Sequence, residues 1–174
     1  MKTPDAMAID HTSPTASQKP SANHPWGARR PVVLVACAAS KLDHPTPARD
    51  LYISTLFRAS RAYAEAISKP NGAWFILSAK HGLLEPETVV APYNQTLRDM
   101  SRSERERWGV GVAAALQART DPTRDALVFL AGMMYRDQVA TTLARAGYQI
   151  VTPLQGLRIG EQVHWLQQAY QAMR

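Results

Sequence analysis

The chain contains a single cysteine, Cys37. That excludes an internal disulfide framework and fits a reducing compartment. No Cys/His group has metal-ligand spacing, so no metal and no cofactor are expected. Long hydrophobic runs are also missing: nothing approaches the ~18–20 consecutive apolar residues that cross a bilayer. Residues 1–30 carry Pro, Ser and Thr but no apolar stretch of the kind a secretory leader needs. The expectation is a cytoplasmic protein with no membrane partner. Neither a P-loop nor Gly-x-Gly-x-x-Gly occurs, which counts against nucleoside triphosphates and dinucleotides.

What the chain does have is positive charge. The formal net charge is +6, and arginine outnumbers lysine 15 to 5. The planar guanidinium contacts phosphate through paired hydrogen bonds, which an ammonium cannot do. A basic domain rich in arginine is compatible with nucleic acid without establishing it. The 174 residues fit one domain with a short appendage. Residues 1–30 read as a disordered tail whose one large hydrophobe is Trp26, and residues 31–174 as the folded domain.

Four apolar runs read as buried strands: 31–36, 73–78, 126–131 and 148–152. A helical pattern follows each. Residues 54–68 place Leu56, Tyr63 and Ile67 on one stripe, with Ser54 at the N-cap. Residues 101–118 open with the capping pair Ser101 and Glu104 and turn Trp108, Val112, Ala115 and Leu116 inward. Residues 134–146 end at Gly147, a helix stop, and 160–173 carry Val163, Leu166 and Tyr170. Strands alternating with helices mean βαβ units. The predicted architecture is α/β: a three-layer α/β/α sandwich around a four-stranded, mainly parallel sheet.

Two strands break off into small, polar and basic residues. Val32-Val33-Leu34-Val35-Ala36 runs into Cys37-Ala38-Ala39-Ser40-Lys41, and Trp74-Phe75-Ile76-Leu77 into Ser78-Ala79-Lys80-His81-Gly82. Such breaks describe the carboxyl edge of a parallel sheet, where ligands bind in open α/β folds. The connections 37–53 and 79–100 far exceed the ~2–6 residues such units need. Within them Cys37 reads as a nucleophile beside Lys41, or as a small buried hydrophobe. Asp50, just before a helix, reads as a general base or as a residue stabilising the helix start. Lys80 and His81 suit a phosphate or a developing anion; alternatively His81 is a hydrogen-bonded structural residue. Tyr93 and Asn94 could stack on a base and read its edge, or pack and cap the loop. Gly132 at the third strand's end allows close approach, and Arg136 reads as a phosphate contact or an exposed surface charge.

These residues carry a resemblance. Cys37-Ala38-Ala39-Ser40-Lys41, Arg49-Asp50-Leu51-Tyr52 with Ser54 and Phe57, Leu77-Ser78-Ala79-Lys80-His81-Gly82-Leu83 and Pro92-Tyr93-Asn94-Gln95-Thr96-Leu97 resemble a family of small bacterial and phage domains. More remotely, Cys37 and Lys41 resemble the Cys-x-x-x-Lys motif of archaeosine synthase, although Leu42-Asp43 stands where that family has Pro-Tyr. The resemblance spans about residues 32–166 and implies the α/β arrangement of uracil-DNA glycosylases, with a pocket for a flipped base at the sheet's carboxyl edge. The expected function is a nucleobase-processing enzyme on DNA or RNA, with DNA favoured, most directly cleaving an N-glycosidic bond at a modified base. Asp50 would activate water, Lys80 or His81 stabilise the leaving base, Tyr52 or Tyr93 stack on it, and Arg136 hold phosphate. Ser40, Ser78 and Gly132 would complete the substrate site. The alternatives are a base-modifying transferase using Cys37 or Lys41 covalently, and a nucleic-acid-binding module without catalysis.

Overall fold

The structure, a computed structural model, describes residues 24–174. Most of the expected tail, residues 1–23, lies outside the described residues. The rest of it joins the domain: Trp26 is 5% exposed and packs into the core, just before the first strand.

In chain order the elements are β1 (Arg30–Ala36), β2 (Thr46–Pro47), α1 (Ala48–Leu51), α2 (Thr55–Ile67), β3 (Ala73–Ser78), β4 (Gly82–Leu84), β5 (Val89–Val90), α3 (Arg102–Gln117), β6 (Asp125–Leu130), α4 (Met133–Arg145), β7 (Gln149–Val151) and α5 (Ile159–Gln171). A 3-10 turn, Leu97–Asp99, precedes α3. The main sheet has the order β4-β3-β1-β6-β7, and β2 pairs with β5 as a separate ribbon. β1 pairs parallel with β3 on one side and β6 on the other, and β6 pairs parallel with β7. The sheet therefore has five strands where the apolar runs predict four. The added strand, β4, is antiparallel to β3 and only three residues long. Gly82-Leu83-Leu84 is too short to show a period, so it reads as loop in the sequence.

The apolar runs become strands because they are buried on both faces. All six residues of β6 are buried, as are Val32–Val35 of β1. Strands flanked on both sides carry continuous apolar runs instead of alternating ones. Alternate residues of β1 feed two separate cores. Val33 and Val35 pack with Phe57, Tyr63 and Ile67 of α2 and Leu166 of α5, whereas Val32 and Leu34 pack with Val112 and Leu116 of α3 and Val139 and Leu143 of α4.

Helix ends follow the sequence signals. The Ser54 hydroxyl accepts from the Phe57 N–H at 3.1 Å. Ser101 and Glu104 close a reciprocal capping box, in which the Ser101 N–H donates to the Glu104 carboxylate at 2.6 Å. Gly147 follows α4 with φ +90°, a conformation that a side chain would strain. At the amino edge of the sheet Asp125 is wholly buried, and its carboxylate accepts from Arg30 Nε and the Asp121 N–H, each at 2.8 Å. A buried carboxylate without such donors would be strongly destabilising.

Helices α3 and α4 approach most closely at Gly109, where a Cβ would lie 2.7 Å from the Gln138 carbonyl oxygen. Two residues on, a Cβ at Gly111 would meet nothing within 4 Å. Gly109→Ala is expected to cost about 1–3 kcal/mol by forcing the helices apart. Gly111→Ala, on the same helix, should gain about 0.5–1 kcal/mol from reduced backbone freedom in the unfolded chain. Denaturant titration of both variants checks the pair; equal effects would contradict this packing.

Candidate functional site

The order in which strands are added to the sheet reverses at β1. The chain leaves β1 through α2 to reach β3 on one side, while β6 lies on the other. Connections from the carboxyl ends of β1 and β6 therefore diverge and leave a crevice between them. Cys37 is the first residue past β1 and is half-buried, and its N–H donates to the Leu77 carbonyl at 3.0 Å. Gly132 caps α4 on the far side of the crevice. A Cβ on Gly132 would meet nothing within 4 Å, so the space above it is open.

Around Cys37 the two long connections fold back over the strand ends. Lys41 forms an isolated antiparallel bridge with Tyr52, which brings the end of α1 against the segment after β1. Tyr52 is almost fully buried, and its hydroxyl lies 2.7 Å from the Tyr93 hydroxyl. Tyr93 in turn lies 2.7 Å from the Ser78 hydroxyl at the end of β3, and Ser78 also accepts from the His81 N–H at 3.0 Å. Three hydroxyls from three segments thus form a continuous chain. The Trp108 indole N–H of α3 donates to the Ser78 carbonyl at 2.9 Å and pins the same strand end.

Cationic groups lie over this chain. The Lys41 ammonium is 4.5 Å from the Tyr93 ring centre and 5.6 Å from that of Tyr52, and it donates to the Ala39 carbonyl at 3.2 Å. The Lys80 ammonium is 5.9 Å from the Tyr93 ring, and the His81 ring meets Tyr93 edge-on at 5.5 Å. An aromatic face attracts a cation and holds it without neutralising it. On the α4 side, Cys37 Sγ lies 3.5 Å from the Tyr135 hydroxyl, and Tyr135 packs edge-on against Trp108 at 5.6 Å.

Ionisation states follow from burial. Burial lowers the pKa of Lys41, and negative charge on Cys37 opposes that by raising it. The neutral amine is therefore more accessible than in free lysine, yet a thiolate favours the ammonium. Burial pushes Tyr52 up to about 12, and it raises Tyr93 and Tyr135 as well, with a Cys37 thiolate pushing both further in the same direction. All three phenols stay protonated at neutral pH and can donate. His81 is held below its ordinary value, first by burial and second by the neighbouring Lys80 cation.

The structure brings together Cys37, Lys41, Tyr52, Ser78, Lys80, His81 and Tyr93. It does not bring Asp50 to them. The Asp50 carboxylate accepts from Arg61 of α2 and lies 3.6 Å from Arg49 Nε, and none of the hydrogen bonds or ring contacts around Cys37 reaches it. Arg136 has its Nε 2.8 Å from Asp137, so its charge is paired within α4. The side chains of Ser40 and Asn94 are exposed and take no hydrogen bond among the described residues, although the Ser40 carbonyl accepts from the Ile53 N–H at 3.0 Å. Tyr135 is the residue that sequence reasoning left without a role. It lies three residues after Gly132, within the motif that drew attention to the strand end, and only the helical turn points it back at Cys37.

Two cavities meet at the crevice and share Ala36 and Gly132. One, of about 70 Å³, is lined by Cys37, Ser54, Phe57, Ser60, Leu154 and Gln162. The other is a groove of about 690 Å³ running from Tyr135 past Met133, Met134, Thr96, Arg98 and Arg105, within the usual ~300–1,000 Å³ of ligand sites. A groove of about 720 Å³ at the opposite end of the sheet is lined by Trp26, Arg29, Arg30 and Lys69, with no cysteine or tyrosine in its lining. Size alone therefore does not mark the site. Among the described residues no group of three His, Cys, Asp or Glu could hold a metal ion. No described helix is long and apolar enough to cross a membrane.

Fold and site together describe an α/β domain with a mostly parallel sheet and a cysteine–lysine–tyrosine cluster at its carboxyl edge. Residues 32–168 match the family model of a family of unknown function, DUF6884, and the chain belongs to that family. No curated protein and no solved structure matches the chain.

Two predictions test this geometry. Tyr93→Phe removes the middle hydroxyl of the chain and leaves Tyr52 and Ser78 short of a partner, which is expected to cost about 1–3 kcal/mol in a denaturant titration. For His81, the folded pKa lies below the unfolded one, so the unfolded state binds the extra proton. Its contribution to stability is complete above that unfolded value and falls as pH drops through it toward the folded pKa. In an NMR titration Lys80→Ala should raise the His81 midpoint part of the way back to about 6.5, since burial remains. An unchanged midpoint would remove Lys80 from the account.

Proposed function

We propose that this protein is a nucleobase-modifying enzyme acting on DNA or RNA, with Cys37 as a covalent nucleophile assisted by Lys41. The observation that carries the reading is the convergence of Cys37, Lys41 and protonated phenols at the switch point of a parallel sheet, beside a groove of ligand size. In the proposed step the Lys41 amine takes the thiol proton, and the Cys37 thiolate adds to an electrophilic carbon of the base. An S–C bond forms, and the electron pair of the attacked double bond moves to the neighbouring ring atom. That atom receives the proton from the Lys41 ammonium, which returns to the amine. Tyr135 donates to the developing negative charge without losing its proton. An amine of a second substrate then displaces the thiolate at that carbon: the C–N bond forms as the S–C bond breaks, and the proton lost from the amine passes through Lys41 back to Cys37.

The Cys-x-x-x-Lys spacing shared with archaeosine synthase supports this reading, and the net charge of +6 supports a polyanionic substrate. Two helices on each of the two cores support the α/β/α layering of a glycosylase-like domain. A free cysteine supports a reducing, cytoplasmic setting. N-glycosidic cleavage with Asp50 as the base receives less support, because two arginines hold that carboxylate.

The test is to incubate the protein with modified and unmodified DNA and tRNA and follow both protein and bases by mass spectrometry. A mass increase on Cys37 is expected, absent in Cys37→Ala, with modified nucleoside formed only by the unsubstituted protein. Released base formed equally by Cys37→Ala, and abolished by Asp50→Asn, would overturn the reading in favour of glycosidic cleavage.

A further inference from the structure

The groove beside Tyr135 carries charge that the fold does not use. Arg98, in the 3-10 turn before α3, is exposed, and among the described residues no carboxylate lies within 4.0 Å of it. Arg105, in the first turns of α3, donates to the carbonyls of Met100 at 2.7 Å and Leu97 at 3.4 Å. Carbonyl acceptors orient its guanidinium without cancelling its charge. Both arginines line the groove that ends at Tyr135 and Gly132. The one carboxylate on its wall, Asp137, is paired with Arg136. On the opposite wall Met133 and Met134 are 68% and 39% exposed and offer an apolar surface.

This combination is specific in its chemistry. Two cations lining one groove, one of them held by backbone carbonyls, suit phosphodiester oxygens. An adjacent apolar wall suits the face of a sugar or base. The groove opens onto the Tyr135 hydroxyl, 3.5 Å from Cys37 Sγ. A nucleotide whose base reached Cys37 would leave its own backbone in this groove.

We infer that the groove lined by Thr96, Arg98, Arg105, Met133 and Met134 is the binding track for the single-stranded sugar–phosphate backbone flanking the reacting base, with Arg98 and Arg105 on successive phosphates. The inference rests on the proposed function and narrows it: the substrate is a polymer, engaged on the α4 side of the crevice. A base held by its flanking phosphates is read at Cys37 while the backbone contacts remain independent of sequence.

The experiment is fluorescence anisotropy of a labelled 12-nucleotide single-stranded DNA against the full chain over a series of salt concentrations. Arg98→Ala is expected to weaken binding about 3- to 10-fold, uniformly across oligonucleotide sequences. The slope of log affinity against log salt should fall in magnitude by about 0.7, the value for one lost phosphate contact on a single strand. Arg145→Ala, at the other end of α4 and about 18 Å away along the helix, is the control and should leave affinity and slope unchanged. Binding by Arg98→Ala with wild-type affinity and slope would overturn the inference. So would displacement of the oligonucleotide by a nucleoside 5′-monophosphate at equal nucleotide concentration, which would put a free nucleotide in the groove. Adduct formation at Cys37 in the unsubstituted protein separates the two ideas. Arg98-dependent binding in the absence of any Cys37 adduct would leave the track standing and remove the covalent reading. An adduct formed with Arg98-independent binding would do the reverse.

Discussion

The placement of β1 between two parallel partners is the constraint on which the site depends. Hydrogen-bonded to β3 along one edge and β6 along the other, β1 cannot be shifted by one residue without exchanging Val33 and Val35 for Val32 and Leu34 between the two cores. That locks the position at which the strand ends, and therefore where Cys37 stands relative to Ser78 and Gly132. The polar groups of the cluster are carried on long connections, but the strands that anchor those connections, β1 and β3, are among the most buried parts of the molecule. Precise placement of a few polar groups comes from rigid apolar elements beneath them.

Around that anchor the polar cluster is economical with charge. The Ser78, Tyr93 and Tyr52 hydroxyls satisfy one another, so their burial adds no unpaired polar group. The nearby cations rest on aromatic faces instead of carboxylates. No described carboxylate lies within 4.0 Å of Lys41 or Lys80. A carboxylate in that position would fix the lysine as an ammonium; an aromatic ring leaves its proton free to move. The acidic residues that follow Lys41 in sequence, Asp43 and Asp50, are turned to His44 and to the arginines.

Much of this was legible in the chain, and the parts that were not share a cause. The three long strands, β1, β3 and β6, announce themselves because burial on both faces demands uninterrupted apolar runs. The caps at Ser54 and Ser101 and the stop at Gly147 are local chemistry, decided within a few residues. Cys37, Lys41, Ser78 and His81 come together because each lies at or just past the end of a strand that the sheet aligns with its neighbour. β4 and the β2–β5 ribbon were hidden, since two or three residues carry no period and their pairing is decided by tertiary contact. The same holds for Asp50. Its neighbours Leu51 and Tyr52 point inward, but its carboxylate is claimed by Arg61, eleven residues away on the next helix, and no local pattern reports the angle between the two helices. Tyr135 stands between Gly132 and Arg136 in the sequence, yet its direction depends on the turn of α4.

Both edges of the sheet are formed by strands of only three residues, β4 on one side and β7 on the other. A free sheet edge is a template for another chain, and its danger grows with the number of unpaired amides in line. Here the long, apolar strands that a foreign segment would find most adhesive are all interior, and a newcomer meets only a stub at either rim. The crevice at the carboxyl edge can thus stay open while the sheet itself gives incoming polypeptide little to hold.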